Sequence, residues 1–189
     1  MKQIKSKLFK LFSSFVTRVI LFIYKDKNPK LPEILFLIGT IFFPQINVEL
    51  IIRDERKNTL YIWRDDLFNN HGWHLPGGII RPNEEIINRV KKVIQNETLI
   101  FNYVRNIVGP ISISEVFNEK PGFRSHFISI VFLVLIENDG RLDDKNLSRS
   151  KSTLSSSIPK PLIKNHERYI ELLEKENDFL FSKVMNKAE

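Results

Sequence analysis

Apolar and polar positions change rhythm several times along the chain, and each rhythm predicts an element. Residues 1–24, MKQIKSKLFKLFSSFVTRVILFIY, place Ile4, Leu8, Leu11, Phe12, Phe15, Val19 and Phe22 at three- and four-residue intervals. Lys2, Lys5, Lys7, Lys10 and Arg18 lie mostly off that stripe, so the period predicts a basic amphipathic helix. Lys10 and Arg18 interrupt the apolar run, which is too short and too charged to span a bilayer. The YKDKNP that follows lacks the small-residue cleavage site of a signal peptide. The stripe therefore packs on its own domain or lies on an anionic membrane surface.

LPEILFLIGTIFF (31–43) predicts a short helix leading into a first strand. INVELIIRD (46–54) and NTLYIWRD (58–65) are rich in β-branched and aromatic residues, and the turn-like ERKN between them makes a hairpin. SHFISIVFLVLIE (125–137) is a long apolar strand fit for the centre of a sheet, and ISISEVF (111–117) is another strand. Between these groups, Ile86, Ile87, Val90, Val93 and Ile94 give a helix over Glu84–Glu97, with Asn83 as its N-cap. The Ser- and Lys-rich 141–160 segment reads as a mobile loop. After it, Leu162, Tyr169, Leu172, Leu173, Phe179 and Phe181 restore a helical period. Strands flanked by helices, with one helix inside the run, predict an α/β sandwich around a mixed sheet. The expected division is a basic helix over 1–30, the domain over 31–175 and a helical tail over 176–189.

Composition narrows the function classes. A chain of 189 residues with 42% hydrophobic positions builds one well-buried domain. The absence of cysteine excludes disulfides, thiolate metal sites and Cys nucleophiles, and it fits a reducing cytoplasm. Lys and Arg outnumber Asp and Glu by 29 to 22, so anionic partners are favoured. No basic stripe interleaved with aromatics and no zinc-finger or helix-turn-helix spacing is present, so nucleic acid is not the expected partner.

The candidate chemistry sits in GWHLPGGIIRPNEEIINRVKKVIQNETLI (72–100). Pro76-Gly77-Gly78 turns sharply and lets backbone approach a ligand, and the helix start beyond it offers N–H groups to a phosphate. The spacing resembles the Nudix box: Gly, five residues, Glu, seven residues, then Arg-Glu-apolar-x-Glu-Glu-x-Gly-apolar. Gly78 and Glu84 stand in register; Lys92 replaces Arg, Val93 replaces the next Glu, Ile94 keeps the apolar place, Asn96 replaces the second Glu, Glu97 keeps the third, and Leu99 replaces Gly. The pattern is similar to the GDP-mannose mannosyl hydrolase branch, which also keeps only the last Glu. LYIWRDDLFNNHGWHLPGG and RSHFISIVFLVL extend the likeness over about residues 31–172.

The resemblance implies a Nudix-type α/β/α sandwich and a dimeric habit. It implies a Mg²⁺ held by Glu97 and backbone of Gly77 or Gly78, and water attacking the sugar anomeric carbon of a nucleoside diphosphate sugar. It implies Arg64 on the diphosphate, with Arg81 and Arg124 behind it, and Glu49 and Trp73 as further substrate contacts. His166, the histidine after the central strand, takes the place of the base, and Lys92 keeps a charge at the family's Arg. His126 reads as a satisfied core histidine, and His71 and His74 either line the pocket or are structural. Two other functions stay open: cleavage of the diphosphate bond itself, which would recruit Glu85 or Glu115, and a non-catalytic nucleotide-sugar module.

Overall fold

β-Branched and aromatic runs become a seven-stranded mixed sheet in a computed structural model that describes residues 11–19, 22, 33–66, 70–117, 126–138, 140, 142 and 146–175. The strands are β1 (Gln45–Arg53), β2 (Thr59–Asp66), β3 (Asn70–His74), β4 (Gly77–Ile79), β5 (Val104–Phe117), β6 (His126–Ile136) and β7 (Ser152–Ser155). Their order is β3-β2-β1-β6-β5, with β4 on β1 and β7 on β2. β1 and β6 run parallel from Gln45↔Phe127 to Arg53↔Leu135, and the other pairs are antiparallel.

Strand alternation sends successive residues of β1 to opposite faces. Val48, Leu50 and Ile52 join Phe132 and Val134 on one face, under Val90, Val93 and Ile94 of helix α3 (Ile86–Glu97). Ile51, Val131, Leu133 and Leu135 lie on the other, under Tyr169 and Leu173. That second layer is a 3₁₀ segment (Lys164–Tyr169) running into helix α4 (Ile170–Lys175). Buried Arg53 ties it down: Nε donates to Thr59 Oγ1 (3.0 Å) and a terminal nitrogen donates to the Leu173 carbonyl (2.6 Å). The sandwich expected from the sequence is the sandwich observed.

Three boundaries differ from expectation. α3 begins at Ile86 with Glu85 as N-cap, because Asn83 (φ 58°) sits in the left-handed region of the preceding turn. β5 starts at Val104, seven residues before the expected strand, and carries a register shift between Val108 and Ser112, around its Gly109-Pro110 step. The segment read as a mobile loop contains β7, whose residues 152–155 pair with β2.

Chain contacts separate residues 1–39 from residues 40–189 as two compact units. In the first, residues 11–19 are helical (α1), and Leu11, Phe12 and Phe15 are exposed. The rest of the predicted 1–24 helix, Phe22 apart, lies outside the described residues, as do Phe179, Phe181 and the 176–189 tail. The helix expected over 31–43 is α2 (Glu33–Phe42).

Candidate active site

The site begins with two backbones in close contact. β4 lies against β1 with Glu49 opposite Gly77 and Val48 opposite Gly78. A Cβ on Gly77 would collide with the Glu49 carboxylate and come within 2.9 Å of the Val48 carbonyl oxygen. One on Gly78 would sit 3.0 Å from Val93 Cγ2 of α3. Only glycine fits at Gly77, and this closeness brings a β1 side chain to the end of α3. There the Gly77 N–H donates to Glu97 Oε2 (3.2 Å).

Beside the turn is a cavity of about 290 Å³. Asn47 and Glu49 reach it from β1, Arg64 from β2, His74 from β3, Arg89 and Glu97 from α3, and His166 and Tyr169 from the 3₁₀ segment. Burial pushes the Glu49 carboxyl up to about 8; Arg64 opposes the shift and Glu97 adds to it. Burial likewise pushes Glu97 up to about 7, against the Gly77 N–H and Arg64. Burial, His74, Arg64 and Arg168 hold His166 well below the usual histidine range, so it is neutral. Glu49 Oε1 accepts from Asn47 Nδ2 (2.8 Å), whereas Glu49 Oε2 and Asn47 Oδ1 are buried with no hydrogen-bond partner.

Tautomers follow from the hydrogen bonds. The Leu75 N–H donates to His166 Nδ1 (3.0 Å), so the proton of His166 is on Nε2, 3.7 Å from Glu49 Oε1. His74 Nδ1 donates to the Ile62 carbonyl (2.7 Å), leaving the lone pair of His74 on Nε2. Of the two buried histidines, His74 therefore holds the tautomer that a base requires.

The residues singled out from the sequence divide into three groups. Glu49, Arg64, Gly77, Gly78, Arg81, Glu97 and His166 line the one cavity. Lys92 does not: it is exposed and pairs with Glu84 at 2.8 Å. Trp73 does not either: it packs edge-on against Trp63 (centroids 5.4 Å apart), and Lys151 Nζ lies 4.9 Å and 5.3 Å from the two ring centroids. Arg124 lies outside the described residues. His126 is half-buried rather than in the core, bonding Glu115 at 2.9 Å and stacking on Phe117. His71 is exposed beside Asp65.

One contributor escaped the sequence reading. Arg89 grips Glu84 through Nε (2.7 Å) and a terminal nitrogen (2.5 Å), supplying the planar fork that Lys92 lacks. The signal was its place one helical turn before Lys92, on the face of Val93. Although burial opposes it, Glu84 is held below the ordinary carboxylate range by Lys92, the Arg81 N–H and Arg89. His74, left open by the sequence between lining the pocket and a structural role, lines the cavity. Among the described residues, no three His, Asp or Glu side chains form a metal-holding group.

Solved structures share this architecture. A MutT protein from Methanosarcina mazei matches at TM-score 0.52 and 24% identity, over 72% of this chain and 97% of its own. A bifunctional NMN adenylyltransferase/ADP ribose pyrophosphatase from Francisella tularensis, complexed with AMP and a Mn ion, matches at TM-score 0.54 and 16% identity, over 76% of this chain and 45% of its own. The Nudix domain of Shewanella oneidensis NrtR, complexed with ADP ribose, matches at TM-score 0.52 and 14% identity, over 70% and 88%. The chain has the Nudix fold. No protein-family model matches it, and no curated protein matches it in sequence. Within that fold, α3 brings one carboxylate, Glu97, to the glycine turn.

Proposed function

We propose that this Nudix-fold chain is a hydrolase of nucleoside diphosphate sugars, in which water attacks the sugar anomeric carbon. The observation that carries this reading is the content of the cavity. Arg64 and Arg81 line the same space as Glu97 and the Gly77-Gly78 backbone, while Val93 packs on Gly78 where the box would place a second acid. Such a site can hold a diphosphate and one cation, while α3 supplies only Glu97 of the several helix acids that would assemble a metal-activated nucleophile at phosphorus.

The donor set suits Mg²⁺, because hard oxygens line the cavity and a buried carboxylate oxygen there lacks a partner. Glu97 and the Gly77 or Gly78 carbonyl would hold the ion, and its chemistry is to neutralise charge on the departing diphosphate. Arg64 and Arg81 bind the same diphosphate oxygens. The water oxygen bonds to the anomeric carbon as the bond from that carbon to the diphosphate oxygen breaks, its electron pair leaving with the nucleoside diphosphate. The water proton passes to His74 Nε2, while His166 holds the turn through the Leu75 N–H.

Incubation with GDP-mannose, other nucleotide sugars and Mg²⁺ in ¹⁸O-water tests this. Free sugar carrying the label, plus unlabelled nucleoside diphosphate, supports it. Label on phosphorus, with a nucleoside monophosphate and a sugar phosphate, replaces it with diphosphate cleavage. Tight binding without turnover replaces it with a binding module.

The same reading places the protein in the cytoplasm as a homodimer, with residues 1–24 touching an anionic membrane surface. Exposed Leu11, Phe12 and Phe15 support the last point. Among the described residues, no helix is long and apolar enough to cross a membrane.

A further inference from the structure

The buried carboxylate on β1 needs an explanation that the box helix does not provide. Glu49 is 8% exposed, lies between the fully buried Val48 and Leu50 of β1, and faces the same layer as Ile51. A solitary buried acid is expensive, and burying two of them side by side is worse. Yet Glu49 and Glu97 meet at Gly77: one accepts the Gly77 N–H, and the other lies where a Gly77 side chain would be. Arg64 is the cation that acts on both, and it leaves both carboxyls raised.

The hydrogen bonds show what is missing. Asn47 turns its Nδ2 to Glu49 Oε1, which directs the amide oxygen elsewhere. Asn47 Oδ1 and Glu49 Oε2 are then two buried oxygens of one strand with no donor. His166 Nε2 is 3.7 Å from Glu49 Oε1, too far for a hydrogen bond. Buried oxygens of this kind are normally satisfied, so two of them in one polar cavity mark the place of an absent electrophile. Two carboxylates, an amide oxygen and a peptide carbonyl are hard donors that suit a divalent cation, with waters or substrate completing the shell.

We propose that β1 completes a divalent-cation site, with Glu49 Oε2 and Asn47 Oδ1 joining Glu97 and the Gly77-Gly78 backbone. This rests on the cation named under the proposed function and changes its holder: the acids missing from the box helix are replaced by one from the strand across the glycine turn. Asn47 and Glu49 are two residues apart, so both face the cavity side of the strand. The alternative occupant is a proton shared by the two carboxylates, and it predicts no cation binding.

The test is Mn²⁺ binding followed by electron paramagnetic resonance on the whole chain, without substrate. One ion per chain is expected, with affinity reduced at least tenfold in Glu49→Gln and in Glu97→Gln, and several-fold in Asn47→Leu. Near-ultraviolet circular dichroism checks that each variant keeps the native packing, and Glu49→Asp separates geometry from charge: it should bind more tightly than Glu49→Gln. Wild-type binding by a folded Glu49→Gln overturns the proposal, as does failure of the wild type to bind Mn²⁺ at millimolar concentration. Turnover of nucleotide sugars is measured separately. A chain that binds Mn²⁺ through both glutamates and hydrolyses nothing sinks the proposed reaction and leaves the cation site standing. Turnover with Mn²⁺ affinity indifferent to Glu49 does the reverse.

Discussion

Arg89, not Lys92, should carry the electrostatic support of the glycine turn, and the difference is measurable as stability. Glu84 accepts from the Arg81 N–H (3.0 Å), from Arg89 Nε (2.7 Å) and from Lys92 Nζ (2.8 Å). The exposures decide which partner matters: the side chain of Glu84 is 6% exposed and that of Arg89 14%, but that of Lys92 is 56%. A charge-assisted hydrogen bond is worth about 1.5–3 kcal/mol, and removing one member of a buried pair strands the other. An exposed lysine pair contributes about 0–1 kcal/mol. Arg89→Met should therefore lower stability by about 2–3 kcal/mol, less than a fully buried pair because Lys92 and the Arg81 N–H remain. Lys92→Met should cost under about 1 kcal/mol. Urea denaturation followed by tryptophan fluorescence reads both. The pH dependence has a fixed sign: a carboxylate depressed in the folded state adds stability above its ordinary value near 4.5, and loses it as pH falls through the folded value. Wild type should thus lose more stability than Glu84→Gln between pH 5 and 3. Equal losses in Arg89→Met and Lys92→Met, or a Glu84→Gln profile parallel to wild type, would refute this reasoning.

Other expectations follow from the site. Gly77→Ala should destabilise the fold by roughly 2 kcal/mol or more, because its Cβ meets the Glu49 carboxylate and the Val48 carbonyl; thermal melting checks it, and an unchanged melt would contradict the close approach. His166→Phe leaves the Leu75 N–H without an acceptor and should cost about 1–3 kcal/mol, part of which His166→Asn restores; chemical denaturation of the pair decides. Arg64→Ala should lower kcat/KM on a nucleotide sugar by about a hundredfold or more, with Arg64→Lys intermediate, in a coupled phosphate-release assay.

The sheet and α3 were legible because their signals are local: β1, β2 and β6 are rich in β-branched and aromatic residues over strand lengths, and α3 repeats its apolar face every three to four residues. β7 was not, because its STLS owes its place to pairing with β2 and not to its own propensity. Glu49 was assigned through the resemblance, but its meeting with Glu97 depends on register between β1 and β4, which no local pattern encodes. Lys92 was assigned through the resemblance as a charge near the site; it pairs with Glu84 from the exposed side, and the planar grip on Glu84 comes from Arg89. Trp73 was assigned through the resemblance, and strand alternation sent it to the face opposite Arg64's neighbour Gly72, against Trp63 and Lys151.

The bond from Leu75 to His166 joins residues 91 apart, and that from Arg53 to Leu173 joins residues 120 apart. Closing loops of that size is slow beside forming a local hairpin. During folding, β1, β2 and the glycine turn can find one another well before the segment bearing His166 arrives. Until it does, Glu49 lacks the cover that His166 and Tyr169 give its cavity in the folded chain. On this order of events the two acids are buried together only in the last step, and refolding in the presence of a divalent cation should accelerate that final docking.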